Sequence, residues 1–170
     1  LHERFFEDNS KQLNLFVMGV GNVGSIFLDQ LRQQQAFLLS HYKLNLRVIG
    51  ISNSKTMYFE AEGIDLNHWQ TRIVEERPLD YEQFIAAVKA YNFRNSIFID
   101  ITDSETVASL YHEFLQRNIA VVTCNKIACA SEYSNYRYLK NLSRKYNAPF
   151  LFETNVGAGL PIIDTLKNLV

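Results

Sequence analysis

Cysteine is scarce. Two thiols, Cys124 and Cys129, stand five positions apart among 170 residues. That spacing is neither a C-x-x-C redox pair nor half a zinc knuckle. The four histidines, His2, His41, His68 and His112, are scattered without metal-ligand spacing. The pattern argues against a disulfide scaffold and a zinc centre, and two reduced thiols fit a cytoplasmic protein. No apolar run approaches the roughly 18 residues that a membrane span needs. The start, Leu1-His2-Glu3-Arg4-Phe5-Phe6-Glu7, lacks the basic-then-apolar layout of a signal peptide. Neither sign of charge dominates: 17 basic and 18 acidic side chains leave a net charge of -1. The basic footprint of a nucleic-acid binder is therefore missing. The expected partner is a small molecule, with neither nucleic acid nor membrane.

Glycine and proline are also few, seven and three, and no Gly/Ser/Pro-rich stretch divides the chain. What is present is an alternation of short apolar runs and helical patterns. Residues 13–18 read as a strand, and Val23, Ile26, Phe27 and Leu31 recur at helical spacing from Asn22 onward. Residues 44–51 form a second strand. Residues 52–79 show no clear pattern beyond a short helix at Asn67-His68-Trp69. Asp80 starts a helix bearing Tyr81, Phe84, Ile85 and Val88, and residues 96–100 form a third strand. Thr102-Asp103-Ser104-Glu105 has capping-box form, which predicts a helix capped by Thr102 with Val107, Leu110, Tyr111, Phe114 and Leu115 on one face. Residues 119–123 make a fourth strand, a polar helix covers about 131–146, and residues 150–152 make a fifth strand. Pro161 suits the first turn of a last helix. Strands alternating with helices predict an α/β fold, a doubly wound parallel sheet in three αβα layers. The expected order of the five strands is 3-2-1-4-5.

The glycines that do occur are placed tellingly. Gly19-Val20-Gly21-Asn22-Val23-Gly24 matches G-x-G-x-x-G, directly after one predicted strand and at the start of a predicted helix. Gly19 permits the tight turn, Gly21 lets the backbone approach a pyrophosphate, and Gly24 lets helix and strand pack closely. The helix N-terminus then offers N–H groups and partial positive charge to the phosphates. A further absence bears on which dinucleotide. NAD-binding chains usually place an acid at the end of the second strand, on the ribose hydroxyls. Here no acid occurs from Gln30 to Phe59, and the strand runs into Ser52-Asn53-Ser54-Lys55. The polar groups of Asn53, Ser54 and Lys55 suit a 2′-phosphate, so NADP(H) is expected to be preferred over NAD(H).

Ligands of open α/β sheets lie beyond the carboxyl ends of the strands. Asp100-Ile101-Thr102-Asp103, Thr123-Cys124-Asn125-Lys126 and Glu153-Thr154-Asn155 all fall there. Lys126 is expected beside a nicotinamide ring, where its ammonium would stabilise charge on a substrate oxygen; a surface lysine is the competing reading. Thr102 would touch the cofactor or simply cap a helix. Cys124 reads as a buried thiol, because no histidine lies nearby in sequence to activate it. The segment Glu153 to Leu160 reads as an anion nest, a cage for a hard cation or a hinge.

Taken together, residues 15–24, 51–55, 121–126 and 154–161 resemble homoserine dehydrogenase, in the form fused behind an aspartate kinase. The last stretch, Thr154-Asn155-Val156-Gly157-Ala158-Gly159-Leu160-Pro161, is the most specific. The resemblance implies a Rossmann-type dinucleotide-binding domain and NAD(P)H-dependent reduction of aspartate 4-semialdehyde to homoserine. It implies that Asn22 and Val23 line the dinucleotide, that Thr102 lies near the nicotinamide, and that Lys126 is a catalytic lysine. It also implies that Glu153 and the backbone oxygens of Val156, Ala158 and Leu160 hold a monovalent cation such as sodium. Two positions depart from the family pattern: Cys124 stands where proline is common, and Ile127 where a second basic residue is common.

On this reading residues 1–12 are a linker from a kinase domain, 13–156 the NAD(P)-binding domain, and 157–170 the start of a substrate domain. The whole protein is expected to be a homo-oligomer, and this stretch alone an incomplete enzyme. Two other readings stay open: another NADP oxidoreductase, such as an aspartate semialdehyde dehydrogenase working through Cys124, and a non-catalytic nucleotide sensor.

Overall fold

The computed structural model describes residues 10–152. The first strand, β1 (Lys11–Met18), sits at the centre of the sheet, and its last six residues are buried. Alternation splits them between two cores: Leu13, Leu15 and Val17 join one, Phe16 and Met18 the other. Burial on both faces is what a covered parallel sheet requires. Helix α1 (Asn22–Tyr42) buries Gly24, Phe27, Leu28, Leu31 and Leu38 against the first core. Val23 and Ile26, expected on that buried stripe, are 54% and 61% exposed. The stripe runs through Gly24 and Leu28 instead, because only glycine fits where the helix meets the preceding turn.

Strand β2 (Leu44–Ser52) runs parallel to β1, and β3 (Met57–Phe59) folds back antiparallel on β2. A short helix α2 (Trp69–Val74) then anchors Trp69 and Ile73 in the first core. Helix α3 (Tyr81–Tyr91) starts as expected, with the Asp80 carboxylate accepting the N–H of Gln83 at 2.9 Å. It crosses to β4 (Ser96–Asp100), followed by α4 (Glu105–Ser109), α5 (Tyr111–Leu115) and β5 (Ala120–Thr123). The chain continues through α6 (Ile127–Ala130), α7 (Tyr133–Lys145) and β6 (Phe150–Phe152). Stacked Phe98 and Phe114, with ring centroids 4.0 Å apart, help to fill the second core between the sheet and α3, α5 and α7.

The sheet order is β3-β2-β1-β4-β5-β6, with every pairing parallel except β2 with β3. The α/β, doubly wound, three-layer class is as expected, but the order of the five expected strands is not. The 96–100 strand was expected beside 44–51; it lies on the other flank of β1, with Leu15 opposite Ile97 and Val17 opposite Ile99. The cause is β3. At three residues it is too short to show alternation, yet it closes the free edge of β2. The crossover through α3 must then return to the open edge of β1. The direction of winding therefore reverses at β1, and the crevice between the exits of β1 and β4 is the topological switch point where ligands bind in such sheets.

Candidate functional site

The crevice begins with the glycine turn. The N–H groups of Gly19 and Val20 both donate to the carbonyl of Ser52 at 2.9 Å, which pins the turn to the end of β2. Gly19 has φ +100°, a conformation that L side chains rarely adopt. A Cβ at Gly19 would strike the Ile101 carbonyl, and one at Gly24 would strike the carbonyl of Gly19. Gly21 differs: a Cβ there would meet nothing within 4 Å. Gly21 is also the N-cap of α1, and it provides no side-chain acceptor for the first-turn N–H groups; that turn carries no acid. The positive end of a 21-residue helix is left open toward the crevice.

The crevice has a volume of about 520 Å³. Gly19, Gly21, Asn22 and Val23 form one wall, and Ser52, Asn53 and Ser54 lie at the end of β2. Thr102, Asp103 and Ser104 form the rim after β4, and Cys124 the floor after β5. Three expected site residues are not lining. Gly24 is buried in the helix–turn contact; Lys55 is exposed on its loop, and Lys126 is exposed just before α6. Leu79 and Tyr81 do line the crevice, and sequence reasoning missed them in that role. Tyr81 reads in sequence only as part of a helical apolar stripe; no local signal shows that the approach to α3 borders the loop after β2.

Asn53 shapes its loop. Its Oδ1 accepts from the backbone N–H groups of Lys55 and Thr56, both at 2.7 Å. Leu79 N–H donates to the Lys55 carbonyl at 2.8 Å, holding the loop from the other side. Beyond β4, the expected capping box is corrected. Ser104, not Thr102, caps α4: its Oγ accepts from Val107 N–H at 3.3 Å, since the extended backbone at Ser104 aims its hydroxyl there. The Thr102 hydroxyl instead accepts from Ser104 N–H at 3.2 Å, which leaves Thr102 on the rim. The single helix expected from there is two short ones, parted at Leu110.

Under the rim lies a buried polar cluster. Asp100 is fully buried, and its Oδ1 accepts from Thr102 N–H at 2.8 Å. Its Oδ2 accepts from the Tyr111 hydroxyl at 2.5 Å and from Asn125 Nδ2 at 3.1 Å. Burial pushes the Asp100 carboxyl above the usual carboxylate range, against these hydrogen bonds, and burial with the Asp100 charge pushes the Tyr111 phenol up. Cys124 is half-buried, with Sγ 3.6 Å from the Asp100 carbonyl. Burial, then the Asp100 carboxylate, raises its thiol, the direction opposite to the lowered value of an activated nucleophile. Glu153, Val156, Ala158 and Leu160, the expected cation ligands, and the helix expected after Pro161 lie outside the described residues. Among the described residues there is no group of three or more His, Cys, Asp or Glu that could hold a metal ion. No helix of the described residues is long and apolar enough to cross a membrane.

Residues 19–153 match the family described as homoserine dehydrogenase, NAD binding domain. The chain is 40% identical over 172 residues to bifunctional aspartokinase/homoserine dehydrogenase 1, chloroplastic, of Arabidopsis thaliana, covering 100% of this chain and 19% of that one. It is 35% identical over 170 residues to the bifunctional aspartokinase/homoserine dehydrogenase of Haemophilus influenzae, covering 99% of this chain and 21% of that one. The chain thus spans about a fifth of the length of these relatives. In fold it is similar to a hyperthermophilic archaeal homoserine dehydrogenase solved in complex with NADPH, with TM-score 0.69 and 24% identity over 91% of this chain and 48% of that one.

Proposed function

Because the chain belongs to the homoserine dehydrogenase NAD-binding-domain family, we propose that its crevice holds NADP(H) for interconversion of L-aspartate 4-semialdehyde and L-homoserine by the whole protein, a small-molecule step toward threonine, isoleucine and methionine. The observation that carries this reading is the pairing of open space at Gly21 with an uncapped α1. Two glycines of the turn are demanded by packing; the third is demanded only by something that fills the crevice. Gly19, Gly21, Asn22 and Val23 cradle the pyrophosphate, and Gly24 lets α1 come close enough to do so. Leu79 and Tyr81 offer apolar surface to the adenine. Asn53, Ser54 and Lys55 meet the 2′-phosphate: Asn53 fixes the loop, and Lys55, exposed beside it, supplies the charge.

When bound, the dinucleotide supplies or accepts the hydride. The Thr102 hydroxyl lies at the nicotinamide end. Lys126 reaches in from the start of α6 and stabilises negative charge on the substrate oxygen. Glu153, with the backbone oxygens of Val156, Ala158 and Leu160, holds a sodium ion. The whole protein carries an aspartate kinase domain ahead of residue 13, a substrate domain from about residue 157, and works as a homo-oligomer. Cys124 and Cys129, the two free thiols of this stretch, suit a reducing compartment such as the cytoplasm.

Calorimetric titration of this chain with NADPH and NADH tests the cofactor. Tighter binding of NADPH is expected; tighter NADH overturns the preference, and binding of neither overturns the dinucleotide site. Oxidation of homoserine by the full-length protein tests the reaction, and its absence leaves another NADP oxidoreductase or a nucleotide sensor.

A further inference from the structure

We propose that Asp100, Tyr111, Thr123 and Asn125 form a buried positioning unit that fixes the backbone around Lys126 against the Thr102–Ser104 rim of the crevice. The proposal rests on the reading of Lys126 as the charged group at the reacting end.

The four side chains come from three separate stretches: the end of β4, the start of α5, and the exit of β5. Asp100 and Tyr111 are 0% exposed, Asn125 2% and Thr123 3%. Their hydrogen bonds converge on the residue before Lys126. Asn125 Nδ2 donates to Asp100 Oδ2 at 3.1 Å and to the Ser104 carbonyl at 2.9 Å. Asn125 Oδ1 accepts from Ile127 N–H at 3.0 Å, and Asn125 N–H donates to Thr123 Oγ1 at 2.8 Å. The backbone is therefore held on both sides of Lys126, at Asn125 and at Ile127, while the lysine side chain itself stays exposed and free to reach a ligand. The Tyr111 hydroxyl closes the unit from below, bonded to Asp100 at 2.5 Å and to Thr123 Oγ1 at 2.7 Å.

Stability alone does not call for this arrangement. A buried carboxylate carries a desolvation penalty, and well-packed apolar side chains of similar volume would often stabilise the same space as well or better. The second core around the unit is made of such side chains, among them Phe98, Phe114, Val121 and Phe150. What a satisfied polar cluster does provide is direction, because each bond has a required partner and angle. Here the bonds tie the rim after β4, where Thr102 stands, to the loop that carries Lys126. A group that stabilises charge only in the transition state must be held to a fraction of an ångström, and a misplacement of about 1 Å can cost on the order of a hundredfold in rate. Tyr111, which does not line the crevice, is by this account a positioning residue for the reaction.

The test uses the full-length protein with homoserine and NADP. Tyr111→Phe removes one oxygen and leaves the ring. It is expected to lower kcat about ten- to a hundredfold, to leave the Kd for NADPH within about twofold, and to raise deuterium uptake in residues 124–130. Thr123→Val, which deletes the acceptor of Asn125 N–H, is expected to do the same, and Thr123→Ser, which keeps it, to behave as wild type. A merely structural role predicts a lower melting temperature for Tyr111→Phe and Thr123→Val with unchanged kcat and unchanged uptake at 25 °C; that result overturns the proposal. So does equal damage from Thr123→Ser. Lys126→Ala, assayed in parallel, separates the two ideas. If it leaves kcat intact, the catalytic lysine and the proposal fall together. If it lowers kcat while the Tyr111 and Thr123 variants do not, the positioning unit alone falls.

Discussion

At the glycine turn the crevice is shaped by side chains that are missing, and at the exits of β4 and β5 it is shaped by side chains that are buried. The first region is compact in sequence, six residues from Gly19 to Gly24, and the backbone does the work through a left-handed φ, two contacts that exclude a Cβ, and an uncapped helix end. The second joins residues as far apart as Asp100 and Asn125, and its work is done by hydrogen bonds. On the proposed reading, one wall is a fixed cradle for a common ligand, and the other positions the groups that distinguish one reaction from another. Within the first wall a sharper contrast gives the largest expected effect. Gly24→Val drives a side chain into the Gly19 carbonyl and is expected to destabilise the chain by ~4 kcal/mol or more, the exceptional end of single substitutions. Gly21→Val meets open space and is expected to cost less than ~1 kcal/mol of stability, yet to abolish dinucleotide binding. Thermal melts beside calorimetric titrations check both. If Gly21→Val binds NADPH normally, the cradle is not where the pyrophosphate lies.

The second wall is broken at Lys126. In the full-length protein Lys126→Ala is expected to lower kcat for homoserine by about a hundred- to a thousandfold, ~2.7–4 kcal/mol, the scale on which loss of one oxyanion donor acts. The Kd for NADP should change far less, because the ammonium acts mainly on charge that develops in the transition state. Steady-state kinetics beside titration decide it. More than about a tenth of wild-type kcat leaves at most ~1.4 kcal/mol to explain, and the catalytic role would then be given up.

The contrast also explains what could be read in advance. The turn was legible because its constraints are local: the spacing of Gly19, Gly21 and Gly24 after an apolar strand states the geometry directly. The α/β class was legible from alternation, and Asp80 announced α3. β3 was not, since three residues carry no period, and missing it misplaced β4 in the sheet order. Tyr111 was read as one more apolar position on a helix; only the fold shows its hydroxyl bonded to Asp100, eleven positions back. Thr102 was read as a cap because local pattern does not reveal that the helix starts later, at Ser104. Val23 and Ile26 were put inside because a helical stripe can be drawn through them, whereas Gly24, with no side chain, decides which stripe faces the sheet.

A smaller effect is expected at the adenosine end. Lys55 is exposed, so its pull on a phosphate is softened by water and salt. Lys55→Glu should weaken NADPH about tenfold, ~1.4 kcal/mol, and leave NADH equal or better, reversing the preference. The change should shrink as ionic strength rises. Titration of both cofactors at low and high salt checks it; equal losses for NADPH and NADH would remove Lys55 from the 2′-phosphate site.

The smallest effect sits where the two regions meet, at Cys124 on the floor of the crevice. The thiolate is the form that alkylates. Burial, and next the Asp100 carboxylate, hold the Cys124 thiol above the ordinary cysteine value. Less thiolate is then present near neutral pH than in a free cysteine. Iodoacetamide should label Cys124 slowly at pH 7, and the rate should still be climbing above pH ~8.5, where an unperturbed thiol reaches its midpoint. Cys129 is an internal control: burial also raises its thiol, but it does not line the crevice. Saturating NADPH should therefore slow labelling at Cys124 and leave Cys129 unchanged, read by peptide mass spectrometry. A rate that levels off by pH 8 would mean an activated thiol and revive a thioester mechanism. In that case Cys124→Ser would abolish turnover in the full-length protein. On the present reading Cys124→Ser keeps turnover near wild type, since a raised, half-buried thiol supplies the floor of the crevice and none of its chemistry.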